Sequence, residues 1–131
     1  MTIATQLAIF LENRPGTLAR LCAALSEAGI NVFAVSTSDT VDHTVVRMVV
    51  SDPQRALFLL GERGTLVVEN EVLLLEGENK PGTLARAAEL LGKANVNIEY
   101  LYAASSPTAK RGLLVLRVSD PKKARRVLKK L

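Results

Sequence analysis

The sequence contains no tryptophan, one cysteine and one histidine among 131 residues, and aromatic residues make up only 4% of it. Each shortage excludes something. The lone Cys22 cannot close an intrachain disulfide, so the chain does not read as a small secreted domain stapled by cystines. One His and one Cys cannot furnish a usual zinc site. No apolar run reaches the length of a membrane span. The start, Met1-Thr2-Ile3-Ala4, lacks the basic segment and apolar stretch of a signal peptide. No phosphate-binding P-loop and no dinucleotide fingerprint occurs. The expectation is a cytoplasmic, non-catalytic protein with no metal and no cofactor.

Aliphatic residues fill the gap. Hydrophobic content is 48%, which suits a globular core of Leu, Val, Ala and Ile rather than a disordered chain. The net charge of +4 is unevenly spread. From Lys110 onward there are nine Lys or Arg and one acidic residue, Asp120, leaving 8 basic against 12 acidic residues in the remainder. The basic balance therefore belongs to the tail and not to the chain as a whole.

The chain also repeats itself. Asn13-Arg14-Pro15-Gly16-Thr17-Leu18-Ala19-Arg20 returns as Asn79-Lys80-Pro81-Gly82-Thr83-Leu84-Ala85-Arg86. Gly29-Ile30-Asn31-Val32 returns as Asn95-Val96-Asn97-Ile98, and Val50-Ser51-Asp52-Pro53 as Val118-Ser119-Asp120-Pro121. Two copies of a module of roughly 65 residues follow, spanning 1–68 and 69–131. Modules this small bury little core, so packing of the copies or a homodimer is expected.

Within copy one, Thr5 to Glu12 reads as a strand covered on both faces. Pro15 suits the first turn of a helix. Leu18, Leu21, Cys22, Leu25 and Ala28 fall at helical spacing as one buried stripe, repeated as Leu84, Ala87, Ala88, Leu91 and Ala94. Cys22 is thus expected in the core. Gly29 ends the first helix in a left-handed conformation and Asn95 takes that place in copy two. Asn31 to Ser38 and Thr44 to Ser51 read as strands around a hairpin at Asp39–His43, which makes His43 a solvated turn residue. Asp52 and Pro53 cap and open a second helix. Thr65 to Val68 reads as a fourth strand, joined through Glu69-Asn70 to the first strand of copy two.

The order β-α-β-β-α-β followed by β-α-β-β-α implies an α+β fold. It consists of two tandem ferredoxin-like modules, antiparallel sheets with helices on one face. Copy two ends before its last strand, and another strand is expected to cover that edge. Val46, Met48 and Val50 should face the helices. Val45, Arg47 and Val49, with Leu113, Val115 and Arg117, would then lie on an open face too aliphatic to leave in water.

The Pro-Gly loops are the candidate sites. A helix beginning at Pro15 or Pro81 presents free backbone N–H groups, which favour a carboxylate or phosphate. Gly16 and Gly82 allow close approach to the backbone. Asn13 and Asn31, and likewise Asn79 and Asn97, are read as lying near this loop, with amides able to hold an α-carboxylate or an α-ammonium. Equally, Asn13 is a plausible helix cap and Asn31 the start of a strand.

The segment Leu11-Glu12-Asn13-Arg14-Pro15-Gly16-Thr17-Leu18, followed by Ala28-Gly29-Ile30-Asn31-Val32, resembles the ligand-loop motif of the ACT domain family. Glu78-Asn79-Lys80-Pro81-Gly82-Thr83-Leu84 with Asn97 resembles it again, so the resemblance covers nearly the whole chain. It implies a β-α-β-β-α-β regulatory module that binds a free amino acid where ACT modules meet. The effector contacts then fall on Leu11, Asn13, Pro15, Gly16, Thr17, Leu18 and Asn31. In copy two they fall on Asn79, Pro81, Gly82, Thr83, Leu84 and Asn97. Leu11 and Gly77 stand where serine-sensing members carry a His, which points away from serine and, at Leu11, toward a more apolar amino acid.

Two other readings are carried. Resemblance of ACT modules to the small regulatory subunit of acetolactate synthase implies an enzyme partner controlled in trans. The basic run Lys122–Lys130 is compatible with nucleic acid, but Ala124, Val127, Leu128 and Leu131 at helical spacing make it a buried stripe with a solvated basic face. The third strands also lack the aromatics on which an RNA-binding sheet of this strand order stacks bases.

Overall fold

A computed structural model describes all 131 residues. The elements are β1 (Thr2–Glu12), α1 (Thr17–Glu27), β2 (Val32–Asp39), β3 (His43–Val50), α2 (Pro53–Glu62), β4 (Leu66–Glu78), α3 (Thr83–Lys93), β5 (Ile98–Ala104), β6 (Arg111–Val118) and α4 (Pro121–Leu128). The fold is α+β, built of ferredoxin-like βαββαβ modules as the repeat implied.

Two compact units emerge, Thr5–Asn70 and Met1–Ala4 together with Glu71–Leu131. In the first unit the strand order is β2-β3-β1-β4, and in the second β1-β4-β6-β5. β1 and β4 thus serve both. The expected joint at Glu69-Asn70 does not exist, because β4 runs unbroken through 13 residues. The edge left by the missing last strand of copy two is taken by Met1–Ala4, whose Ile3 packs onto the core of that unit. In the first unit Val67 of β4 occupies the corresponding role. Ile3 lies upstream of the repeated motifs, so comparison of the copies does not reveal it.

Each unit has its own core on the helical face. In the first, Leu7 and Ile9, Val46, Met48 and Val50, Leu21 and Leu25, and Ala56 and Leu60 form one cluster. In the second, Leu73 and Leu75, Leu114, Leu116 and Val118, Leu90 and Leu91, and Ala124 and Leu128 do the same. The alternation of β3 and β6 is as expected. Val49 and Val115, pointing away from the helices, are nevertheless buried, as are Gln6, Ala8 and Val72. β1 is therefore buried on both faces over Gln6–Ile9.

The helical stripes need correction. α1 buries Leu21, Ala24 and Leu25, while Cys22 is exposed and Leu18 is 43% exposed. α3 buries Ala87, Leu90 and Leu91, leaving Ala88 exposed and Leu84 45% exposed. At about 100° per residue Leu21, Ala24 and Leu25 fall within one sector of α1, and Cys22 and Leu18 lie on its outer flank. Leu131, placed on the buried stripe of the basic run, is also 43% exposed.

The helix ends follow local chemistry. Asp52 and Asp120 cap α2 and α4 by accepting the Arg55 and Lys123 N–H groups at 3.1 Å, with Pro at the first position. Gly29 (φ 73°) and Asn95 (φ 59°) end α1 and α3 in the left-handed region, as read from the sequence. α4 buries Ala124 and Leu128 and exposes Lys122, Arg125, Arg126, Lys129 and Lys130, so its charges lie on a solvated face. No helix is long and apolar enough to cross a membrane.

Candidate functional site

The Pro-Gly loops are built alike in both units. Gly16 precedes α1 at φ 88° and Gly82 precedes α3 at φ 95°, and neither helix has a side-chain cap. A left-handed residue here turns the chain sharply from strand to helix, a conformation that costs other L-residues energy. The Thr17 hydroxyl donates to the Glu12 and Arg14 carbonyls at 2.9 and 3.0 Å, and Thr83 donates to the Glu78 carbonyl at 2.8 Å. These threonines brace the turn from inside. In the first helical turns the Thr17 and Thr83 N–H groups reach the Arg14 and Lys80 carbonyls at 3.4 and 3.5 Å, which leaves those of Leu18 and Ala19, and of Leu84 and Ala85, without a carbonyl partner.

The repeated asparagines divide into two classes. Asn13 and Asn79 are neither caps nor free. The Asn13 amide donates to the Thr40 carbonyl at 3.3 Å, and that of Asn79 to Ser106 and Ala109 carbonyls at 3.0 and 2.8 Å. Their backbone N–H groups reach Asp42 and Lys110 carbonyls at 2.9 and 2.8 Å. Both residues therefore tie the Pro-Gly loop to the tip of the adjoining hairpin; the side-chain oxygen of each remains to accept a hydrogen bond, and Asn13 keeps one amide N–H as well.

Asn31 and Asn97 behave differently. Asn31 exchanges backbone bonds with Ser51, its N–H donating to Ser51 Oγ at 2.9 Å and its carbonyl accepting the Ser51 N–H at 2.9 Å. Asn97 and Ser119 repeat the arrangement at 3.0 Å in both bonds. The two side-chain amides are exposed and make no hydrogen bond within the chain.

The structure does not bring the two classes together within a unit. Glu12, just before Asn13, pairs with His43, whereas Val32, just after Asn31, pairs with Val50. The amides therefore sit at opposite ends of β3, roughly 24 Å apart at the rise of an antiparallel strand. The proximity read from the sequence is absent because α1 carries the chain back along the sheet before β2 begins. Asn31 lies instead beside a shallow depression with Cys22, Ser26 and Gly29.

A cleft adjoins each Pro-Gly loop. In the first unit it has a volume of about 730 Å³ and is lined by Phe10, Leu11, Glu12, Arg14, Thr17, Arg20, Leu21 and His43, with Leu60 of α2 and the following Arg63 to Leu66. In the second it is about 440 Å³, lined by Leu75 to Glu78, Lys80 to Thr83, Arg86, Arg111, Leu128 and Leu131. Of the expected contacts, Leu11 and Thr17 line the first cleft and Pro81, Gly82 and Thr83 the second. Leu11 also packs against the core. Asn13, Pro15, Gly16 and Leu18, with Asn79 and Leu84, do not line them, and neither does Asn31 or Asn97.

Sequence reasoning missed Arg20, Arg63 and His43 as lining one cleft; His43 opens β3 and is exposed, as expected of it. Arg20 and Arg86 close the repeated octet and were the available signal. Arg63 arrives only through the fold, at the far end of α2.

Gly77 explains one difference between the clefts. A Cβ there would stand 2.8 Å from the Thr83 methyl group, so the second unit has no room for the counterpart of Leu11. Charge pairing differs too. Lys80 meets Glu78 at 2.8 Å, Arg111 meets Glu76 at 3.7 Å, and Arg86 and Lys93 both meet Glu89, at 3.4 and 2.9 Å. The hydrogen bond and charge of Lys80 hold the Glu78 carboxyl below its ordinary value, and Lys93, then Arg86, do the same for Glu89. No group of three or more His, Cys, Asp or Glu side chains is placed to hold a metal ion.

Comparison with known proteins agrees with this architecture. The protein BT0572 from Bacteroides thetaiotaomicron is 33% identical, with 98% of this chain and 88% of that one aligned at a TM-score of 0.91. The ligand-free regulatory subunit of aspartate kinase from Thermus thermophilus has the same fold at 20% identity, with 99% and 93% covered and a TM-score of 0.71. The corresponding subunit from Thermus flavus does so at 21% identity, 98% and 91% coverage and a TM-score of 0.65. Among curated proteins none matches the chain. The family model of the ACT domain pair matches residues 1–131: the chain belongs to the family of ACT domain pairs.

Proposed function

We propose that the chain is a non-catalytic regulatory protein that binds a free amino acid at its Pro-Gly loops. The observation that carries this reading is the same unusual loop built twice. A left-handed glycine precedes an uncapped helix, a threonine braces the turn, and an asparagine pins it to the hairpin. An α-carboxylate suits the free N–H groups of the first helical turn, where the helix dipole adds roughly 0.3–1 kcal/mol. The amide oxygen of Asn13 or Asn79 suits an α-ammonium.

The distance between Asn13 and Asn31 shapes the proposal. One effector cannot touch both within a unit. A second copy of the chain, supplying its Asn31 or Asn97 opposite a Pro-Gly loop, completes the contact in a homodimer. Ligand and dimer packing are then coupled, because an effector stabilises only the arrangement it binds more tightly.

The experiment is thermal melting against a panel of free amino acids. A ligand of the native state raises Tm as its concentration passes Kd, so one or a few amino acids should shift the curve. A flat panel contradicts the reading. A second reading, a subunit acting in trans on an amino-acid biosynthetic enzyme, is favoured by the fold shared with the aspartate kinase regulatory subunits. Co-purification of one such enzyme with the tagged native chain is its test, and a clean homodimer argues against it.

A further inference from the structure

The two clefts share a plan and differ in charge. In the second cleft each lining cation meets a carboxylate: Lys80 with Glu78, Arg111 with Glu76 and Arg86 with Glu89. In the first, only Arg14 does, at 2.6 Å from Glu12. The partners are missing by substitution. Ala23 stands where the repeat places Glu89, and Phe10 where it places Glu76. Leu131 of the second cleft is matched by Arg63 in the first.

Arg20 and Arg63 therefore line the first cleft with no ion pair. Arg20 is exposed but folds back along its own helix. Its Nη1 lies 3.0 Å from where a Cβ on Gly16 would stand, over the start of α1. Two guanidinium groups and the positive end of a helix dipole thus line one cleft whose single carboxylate, Glu12, is engaged by Arg14. Around them Phe10, Leu11, Leu21, Leu60 and Leu66 make an apolar floor, which lowers the local dielectric and strengthens a charge pair formed there.

We infer that the first-unit cleft selects an amino acid carrying a second anionic group, a carboxylate or a phosphate, while the second-unit cleft does not. This rests on the proposed amino-acid binding at the Pro-Gly loops. The α-carboxylate occupies the helix start and the second anion lies between Arg20 and Arg63, as bidentate guanidinium recognition favours. This departs from the apolar ligand that Leu11 suggested, since Leu11 packs on the core and the guanidiniums are the groups left unmatched.

The test is calorimetric titration of the full chain with near-isosteric pairs, L-glutamate against L-glutamine and L-aspartate against L-asparagine, plus O-phospho-L-serine against L-serine. The acidic member of at least one pair should bind about tenfold more tightly, the scale of one charge-assisted hydrogen bond. Arg63→Leu and Ala23→Glu, both at exposed positions, should each bring that ratio close to one without moving the melting point of the free protein. The carboxylate and phosphate pairs distinguish the two anions. Equal affinity within every pair, or an acidic preference that survives both variants, overturns the inference and leaves amino-acid binding standing. Absence of binding by any amino acid removes both.

Discussion

Replacing Ile3 by Ala tests how the second unit is completed. Ile3 lies at the chain start, remote in sequence from Glu71–Leu131, yet it packs on the cluster formed by Leu73, Leu91 and Leu116. A fully buried Ile→Ala change costs about 2–5 kcal/mol. Ile3 is only half-buried, so roughly 1–2 kcal/mol is expected, the part of the transfer and cavity cost that scales with burial. For a domain of this size that lowers Tm by roughly 3–10 °C. Differential scanning calorimetry of Ile3→Ala beside the exposed Thr2→Ala is the assay. Hydrogen exchange adds location: amides of residues 71–78 should lose protection. An Ile3→Ala protein that melts with Thr2→Ala, its exchange in that strand unchanged, would refute the assignment of Met1–Ala4 to the second unit.

Other predictions concern the loops and the charges. Gly16→Ala and Gly82→Ala should each cost about 1–2 kcal/mol, the cost of a Cβ in the left-handed region, read by urea denaturation. Asn79→Ala should destabilise more than Asn13→Ala, by roughly one hydrogen bond or about 0.5–1.5 kcal/mol, because Asn79 holds two carbonyls and Asn13 one. Glu89 has its folded-state pKa lowered from 4.5 by Lys93 and Arg86. Its contribution to stability is therefore present above the unfolded value and lost as pH falls through the folded one. Glu89→Gln should flatten the decline in stability below about pH 4.5, measured by denaturation at stepped pH, while leaving pH 7 nearly unchanged apart from an exposed ion pair.

Local chemistry was legible in the sequence where a single residue decides it. Asp52-Pro53 and Asp120-Pro121 open helices, Gly29 and Asn95 end them, and the alternation of Val46, Met48 and Val50 points to the core. The repeat itself carried the fold. What escaped depends on partners distant in sequence. Cys22 looked buried because helical spacing fixes a stripe only to within one residue, and Leu21 took the inner position. The unbroken β4 was hidden by Glu69-Asn70, which is polar but extended and makes no turn. Asn13 and Asn31 looked like neighbours because both flank α1, whereas its length separates them. Arg63 joins the cleft from the end of another helix, and no spacing rule announces it.

The separation of the two asparagines also decides how the central claim is best tested. Asn13 holds the loop to the hairpin, so its loss weakens fold and site together. The Asn31 and Asn97 amides do nothing for the fold beyond their backbone bonds to Ser51 and Ser119. The most direct measurement is therefore calorimetric titration of the amino acid that most raises Tm into the native chain and into the Asn31→Ala/Asn97→Ala variant. The account predicts saturable binding to the native chain. In the variant it predicts affinity weakened about tenfold or more, the scale of a lost hydrogen bond to a charged group, with the melting point of the free protein unchanged. Equal affinity in both proteins would contradict the claim that these amides, with the Pro-Gly loops, form the effector site.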